Sequence, residues 1–276
     1  MIQIKNLSFG YKKSKYLFDD LSLHIPMGNI YGLLGRNGAG KTTLLKQIAG
    51  LLFPSKGECI VFDKPVRERL PEVLNDIYFI PEEFQLPSIT MNAFTKLHSP
   101  FYPKFDLAFL NKYLNEFEIN DNAKLTSLSY GQKKKFLIAF GLATRTRILI
   151  LDEPTNGLDI PSKSQFRRII ASSMDENRSI IISTHQVRDL ASLIDHIVIL
   201  EGGKVIFHQS TIEISSKLSF VQTKEMDHLE VLYQEDVLGG HAVMCRKNGG
   251  ETEIDLELLF NGVVSNSEKV NNEFKN

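Results

Sequence analysis

The chain has 276 residues, enough for one large domain or one domain with a small appendage, and its 42% hydrophobic and 24% charged side chains are ordinary for a protein with a sizeable core. Thirty-two basic against 33 acidic side chains leave a net charge of −1, which argues against a dedicated nucleic-acid binder but leaves room for a local basic patch. The 2 cysteines, Cys59 and Cys245, stand far apart, which excludes a disulfide framework and a CxxC zinc site and suits reduced thiols in the cytosol.

No stretch approaches the roughly 20 apolar residues that span a bilayer. The first residues, Met1 to Leu7, read as an alternating strand without the apolar core of a signal peptide. The chain is therefore expected to be soluble, with any membrane span supplied by another polypeptide.

In chain order, Ile2, Ile4 and Leu7 recur among polar residues, Leu21, Leu23 and Ile25 alternate with Ser22 and His24, and Gly57 to Phe62 forms another short apolar run. Alternation bounded by turn residues predicts antiparallel, half-exposed strands. Ile30 to Leu34 is nearly all apolar, as in a strand buried on both faces. A glycine-rich turn, Gly35 to Gly40, follows, and then Leu44, Leu45, Ile48, Ala49 and Leu52 fall at helical spacing. Residues 82–145 read mainly as helix, interrupted by Pro87, Pro100 and Pro103. Two more solid apolar strands, Ile148 to Leu151 and Ile180 to Ser183, enclose a helix, and another helix is expected around Val187 to Ile194. Buried strands alternating with helices imply a parallel sheet. A hairpin is expected over 197–208, turning at Gly202-Gly203. From about 209 the texture changes to short strand or mixed signals at 220–223, 230–233, 241–246 and 252–259, which predict a small α+β appendage ending near 264 and then a loose polar tail.

The segment from Gly35 through Arg36, Asn37, Gly38, Ala39, Gly40 and Lys41 to Thr42 fits G-x-x-x-x-G-K-[ST]. Glycines let backbone N–H groups turn inward around phosphate oxygens, the lysine supplies a point charge to the β- and γ-phosphates, and the threonine hydroxyl ligates Mg²⁺. The positive end of the following helix faces the same anion. The apolar strand at 148–151 ends in Asp152 and Glu153. Asp152 suits the Mg²⁺ shell, and Glu153, one residue on, suits the orientation and deprotonation of water.

Leu128-Ser129-Tyr130-Gly131-Gln132 lies 20 residues before Asp152, counted from Gln132. With the two motifs above, residues 1–208 resemble the ATP-binding subunit of an ABC transporter. Read locally, Ser129-x-x-Gln132 is also a capping box at a helix start. Lys133, Lys134 and Lys135 then oppose the helix dipole, so either an anion sits at that helix start or the lysines are a solvated face.

The resemblance implies a P-loop NTPase: a RecA-like α/β core with an antiparallel β subdomain, a helical signature subdomain at about 82–145, and the accessory unit at 209–264 ahead of the tail at 265–276. It implies ATP and Mg²⁺ as cofactors, with the metal held by Thr42, Glu82 and Asp152. Tyr11, Gly35, Asn37, Gly38, Ala39, Gly40, Lys41, Thr42 and Thr43 are expected to contact one nucleotide. Tyr11 would stack on adenine, with Phe9 and Tyr16 as rival aromatics. Ser129, Gly131, Gln132 and Asp159 would meet the nucleotide of a second subunit, Asp159 through the Asn156-Gly157-Leu158-Asp159 loop. Lys41, Glu153 and His185 would be catalytic, His185 sensing the γ-phosphate.

Two positions depart from the family pattern: Tyr130 stands where glycine is usual, and Glu82 where glutamine is usual. A carboxylate at 82 is either an oxygen ligand that adds negative charge or a solvated side chain. Segments like Pro81-Glu82-Glu83 occur in ATPases that serve ABC-2-type permeases. The expected function is therefore ATP hydrolysis driving a separate integral-membrane permease, in the export direction, by a subunit that pairs with a second copy at the cytoplasmic face of the membrane. Phe84, Leu86, Met91, Phe94, Phe101, Tyr102 and Phe105 suggest the apolar surface that receives the permease. The alternative is a soluble ABC ATPase acting on ribosomes or nucleic acid, although the second ATPase unit and charged linker usual there are absent from this sequence.

Overall fold

The computed structural model describes residues 1–12, 14–119, 123–247, 249–250 and 252–275. Strands β1 (Ile2–Phe9) and β2 (Phe18–Ile25) are followed by β3 (Ile30–Leu34), α1 (Lys41–Ile48), β4 (Lys56–Val61), β5 (Lys64–Pro65), α2 (Pro71–Leu74) and β6 (Ile77–Ile80). Helices α3 (Met91–His98), α4 (Leu107–Glu116) and α5 (Tyr130–Ala143) lead into β7 (Ile148–Asp152), α6 (Ile160–Ser172), β8 (Ser179–Thr184), β9 (His196–Glu201) and β10 (Lys204–Ser210). The remainder is α7 (Thr211–Lys217), β11 (Leu218–Thr223), β12 (Val231–Val237), β13 (Gly240–Arg246), α8 (Leu256–Ser265) and α9 (Ser267–Asn272).

Among the described residues the strands form three sheets. An antiparallel one runs β2-β1-β4-β5, a central one β10-β9-β3-β8-β7-β6, and a small one β11-β13-β12. In the central sheet β9, β3, β8, β7 and β6 are parallel, and β10 closes the edge antiparallel to β9. Its inner strands run apolar through Ile148–Leu151, Ile180–Ile182 and Ile197–Leu200 because both faces are covered there. Leu149, Leu151, Ile180, Ile182, Ile197 and Ile199 pack with α5, α6 and the C-terminal elements. Their alternate neighbours Ile148, Ile150, Ile181, Val198 and Leu200 pack with α1 and the antiparallel sheet.

Helix α5 enters this core without a polar face from Phe136 onward. Phe140 is its centre, with the rings of Phe94, Tyr78 and Phe105 at 5.2–5.7 Å. Gly141 lets α5 lie against β6, since a Cβ there would fall 2.7 Å from the Tyr78 ring.

Several expectations are corrected. Val187 to Ile194 supplies only one 3₁₀ turn, Val187–Leu190, and the mixed signal at 252–259 runs from an irregular stretch into helix α8 at Leu256. Residues 267–272, expected to be part of a loose tail, form α9. Val270 is fully buried, the Phe274 ring meets Phe207 at 5.5 Å, and Arg246 donates to Glu273 at 2.7 and 3.0 Å. Most of the aromatics expected to form a permease surface pack inward instead: Met91 and Phe94 are buried, and Phe84, Leu86, Tyr102 and Phe105 lean on the core. Phe101 remains exposed, together with its neighbours Leu97 and Leu107.

Candidate functional site

The order β3-β8-β7 sets three carboxyl ends side by side, with Leu34 paired to Thr184 and Ser183 paired to Asp152. Ligands of open α/β sheets lie off such ends. Leaving β3, the chain needs glycine at 35, where a Cβ would stand 2.5 Å from the Leu200 carbonyl oxygen of β9. Gly40 turns left-handed (φ 106°) to start α1, so the helix opens directly under the loop. Lys41 Nζ folds back over this turn and donates to the Gly35 carbonyl at 2.8 Å and the Arg36 carbonyl at 3.5 Å.

At the end of β7, Asp152 is 1% exposed. One of its oxygens accepts from the Thr42 hydroxyl at 2.7 Å and the other from the Ser183 hydroxyl. A hydroxyl and a buried carboxylate converging from two elements are hard oxygen donors, the set that Mg²⁺ prefers, so these residues fit the metal.

Glu153 is nearly buried and takes a left-handed backbone (φ 47°). Its N–H donates to the Ser183 carbonyl at 3.1 Å. That turn aims its carboxylate across the strand ends, where His185 Nδ1 lies at 2.9 Å and Lys41 Nζ at 3.6 Å. The His185 N–H also donates to the second Glu153 oxygen at 3.4 Å.

These groups border a cleft of about 490 Å³ whose walls include Asn37, Gly38, Thr43 and Glu82. Tyr11, on the loop between β1 and β2, stands at its rim, shares a hydrogen bond with the Thr43 hydroxyl at 3.0 Å and rests edge-on against Phe9. Its rivals are not on the cleft: Phe9 packs on the core, and Tyr16 lies under Lys56. Ala39 is buried, does not line the cleft, and donates its N–H to the Arg36 carbonyl at 3.1 Å.

Glu82 is not a free solvated carboxylate. It accepts from the Asn156 amide at 2.9 Å, and its backbone carbonyl accepts from the Tyr130 hydroxyl at 2.6 Å.

Ser129, Gly131, Gln132 and Asp159 do not line the cleft of their own chain. Ser129 and Gln132 close the capping box at the start of α5, with bonds of 2.9 and 3.2 Å. Asp159 caps α6, and its hydrogen bonds from Ser162 hold its carboxyl below the usual range.

The lysine run divides, and for Lys134 the solvated-face alternative does not hold. It is fully buried, with Nζ donating to the Glu153 carbonyl at 2.9 Å and the Asn156 carbonyl at 3.0 Å. Burial pushes its ammonium below the usual lysine range, while Glu82, Glu153 and Asp152 pull it back up. No sequence signal singles it out: every position from Phe136 to Ala143 is buried, so Lys133, Lys134 and Lys135 all have buried residues three and four positions on.

A phosphate cradle, a hydroxyl–carboxylate pair and a buried glutamate between a lysine and a histidine together form a site for a nucleoside triphosphate. Among the described residues, no helix is long and apolar enough to cross a membrane. Residues 18–156 match the family described as ABC transporter. The chain is 33% identical over 207 residues to the ABC transporter ATP-binding protein YtrB of Bacillus subtilis (strain 168), a match covering 74% of this chain and 70% of that one. It is 31% identical over 272 residues to an uncharacterized ABC transporter ATP-binding protein of Methanocaldococcus jannaschii, covering 94% and 95%. Its fold matches a dimeric ATP-binding cassette solved in a post-hydrolysis state with ADP and Pi, at a TM-score of 0.68 and 23% identity over 76% of this chain and 98% of that one. The chain belongs to the ABC transporter family, among its ATP-binding, ATP-hydrolysing subunits.

Proposed function

We propose that two copies of this chain pair head-to-tail and hold two ATP molecules at their seam, each between the Lys41 cradle of one copy and the Ser129 segment of the other. Glu153 orients and deprotonates the attacking water, and cleavage releases the pair to drive a separate permease from the cytoplasmic face of the membrane, in the export direction. The observation that carries this reading is the Glu153 carboxylate, nearly dry and set 2.9 Å from His185 and 3.6 Å from Lys41.

Lys41 exchanges the loop carbonyls for phosphate oxygens as nucleotide enters, a replacement its flexible stem allows. Thr42 and Asp152 would hold Mg²⁺, with Glu82 at the cleft wall as a further oxygen. When bound, that ion neutralises charge on the phosphates. In this reading His185 donates to the γ-phosphate while Glu153, 2.9 Å from its Nδ1, faces the water. Tyr11 gives the adenine an exposed ring to stack on. The capped start of α5, with Ser129, Gly131 and Gln132 turned away from their own cleft, is free to meet the nucleotide of the second copy, and Asp159 lies on the adjoining loop.

The exposed Leu97, Phe101 and Leu107 support docking of a permease on the helical region. The resemblance of the Pro81-Glu82-Glu83 segment to ATPases of ABC-2-type systems supports export.

Glu153→Gln tests the reading: ATP binding is retained, turnover falls at least ~10²-fold, and dimers accumulate with ATP. Unchanged phosphate release would overturn it.

A further inference from the structure

Lys134 is a fully buried cation that phosphate binding does not use. We propose that it is a positioning residue for Glu153: its ammonium clamps the Glu153 and Asn156 carbonyls and thereby fixes the turn that aims the Glu153 carboxylate at the reacting water. This inference rests on the reading of Glu153 as the general base.

The geometry argues as follows. A left-handed backbone at a glutamate is disfavoured and persists only where its surroundings hold it. On one side the Glu153 N–H is held by the Ser183 carbonyl at 3.1 Å. On the other its carbonyl is held by Lys134 at 2.9 Å. The same ammonium holds the Asn156 carbonyl at 3.0 Å, so it spans the whole turn from Glu153 to Asn156.

Both departures from the family pattern belong to this unit. The Tyr130 ring covers the ammonium, 5.1 Å from Nζ to centroid, and its hydroxyl donates to the Glu82 carbonyl at 2.6 Å. Asn156 in turn donates to the Glu82 carboxylate at 2.9 Å. Lys134, Asn156, Glu82 and Tyr130 therefore form a closed ring of contacts, with one cation set among the carboxylates of Glu82, Asp152 and Glu153. A glutamate at 82 adds a negative charge, Lys134 offsets it, and an aromatic ring at 130 roofs the cation. The ring also ties the start of α5 to the end of β7 in the same chain.

Lys134→Met keeps an unbranched side chain only one atom shorter and removes both the charge and the donors. In the full-length protein with Mg²⁺ and ATP, turnover is expected to fall about 10²-fold, the scale of a misplaced catalytic group, with ATP affinity nearly unchanged. Adding Glu82→Gln to that variant should restore about tenfold, because it removes the carboxylate left without its cation. A role in packing alone predicts that the two losses multiply. Lys134→Gln retains a neutral donor and should fall between Met and wild type, and it carries the test if the Met variant fails to fold.

Wild-type turnover in Lys134→Met, or no restoration by Glu82→Gln, overturns the inference. Glu153→Gln run alongside separates the two readings. If it too turns over normally, the general-base assignment fails. If it is inactive while Lys134→Met is not, the positioning role alone fails.

Discussion

The Thr42 hydroxyl donates to the Asp152 carboxylate at 2.7 Å across 110 positions of sequence, joining the start of α1 to the end of β7. The hydroxyl of Ser183 fixes the other oxygen of that carboxylate, so its orientation is set before any ligand arrives. Asp152→Asn preserves this shape and removes the charge. It is expected to fold with an unchanged melting temperature and to lose about 10²–10³-fold in Mg²⁺-dependent turnover, the scale of removing one preorganised electrostatic group. Phosphate release across a Mg²⁺ titration checks it, and wild-type activity at saturating metal would refute the role.

Leu97, Phe101 and Leu107 expose apolar surface on the helical region while Tyr102, Phe105 and Phe109 pack partly against the core. Exposed apolar groups of this kind are expected to serve contact with another protein. Phe101→Glu should leave stability and ATP hydrolysis of the purified chain unchanged and reduce its recovery with membranes. Sedimentation of cell lysates, with the ATPase assay in parallel, measures both.

Phe140 is fully buried at the junction of α5, α3 and β6. Truncation leaves a cavity that Phe94, Phe136 and Tyr78 cannot fill without tilting α5. Phe140→Ala should cost about 3–5 kcal/mol, the range for buried aromatics, read by denaturant titration with the slope unchanged.

The His196 and His208 rings lie 6.0 Å apart, with Tyr31 stacked on His196 at 5.0 Å. Burial pushes both imidazoles below their ordinary value. His196 and His24 add to that push on His208, while Glu213 opposes it at both rings and Asp195 opposes it at His196. Groups with depressed values favour the fold in their neutral form. Their contribution is complete above the unfolded histidine value of about 6.5 and is lost as pH falls through the lower folded values. The melting temperature should therefore drop as pH is lowered from neutrality toward 5, and His208→Gln should flatten that slope. Glu213, held below its own usual value by Ser210, titrates below this window.

The strand, cradle and helix around Lys41 were legible because their signals are local: an apolar run, glycines at fixed intervals and a helical repeat within some twenty residues. The carboxylates ending β7 were legible for the same reason. The contacts around Glu82 were not, because they join residues 48 and 74 positions apart, and no spacing announces that Tyr130 and Asn156 both reach one glutamate. Lys134 was not legible either: the helix is buried on every side from Phe136 to Ala143, so helical position does not set Lys134 apart from Lys133 and Lys135. Strand β6, four residues long, is too short to show a period.

The last helix was hidden by polarity. Ser267–Asn272 contains one apolar side chain, Val270, and its partner Phe274 lies one helical turn on, outside the helix itself. That pair is enough to dock α9: Val270 is fully buried, Phe274 meets Phe207 of β10, and Asn271 donates to the Ile206 carbonyl at 2.8 Å. The Arg246–Glu273 fork ties the end of the helix to β13, and it holds the Glu273 carboxyl below its usual value. Val270→Asp places an unpaired charge in this seam and should cost on the order of 3 kcal/mol. Because the cleft is built from β3, β7 and β8, ATP affinity should be unchanged. Limited proteolysis should then cut first after residue 265 in the variant and not in the wild type. Equal resistance of the two proteins would show that α9 does not hold the C-terminal elements to the core.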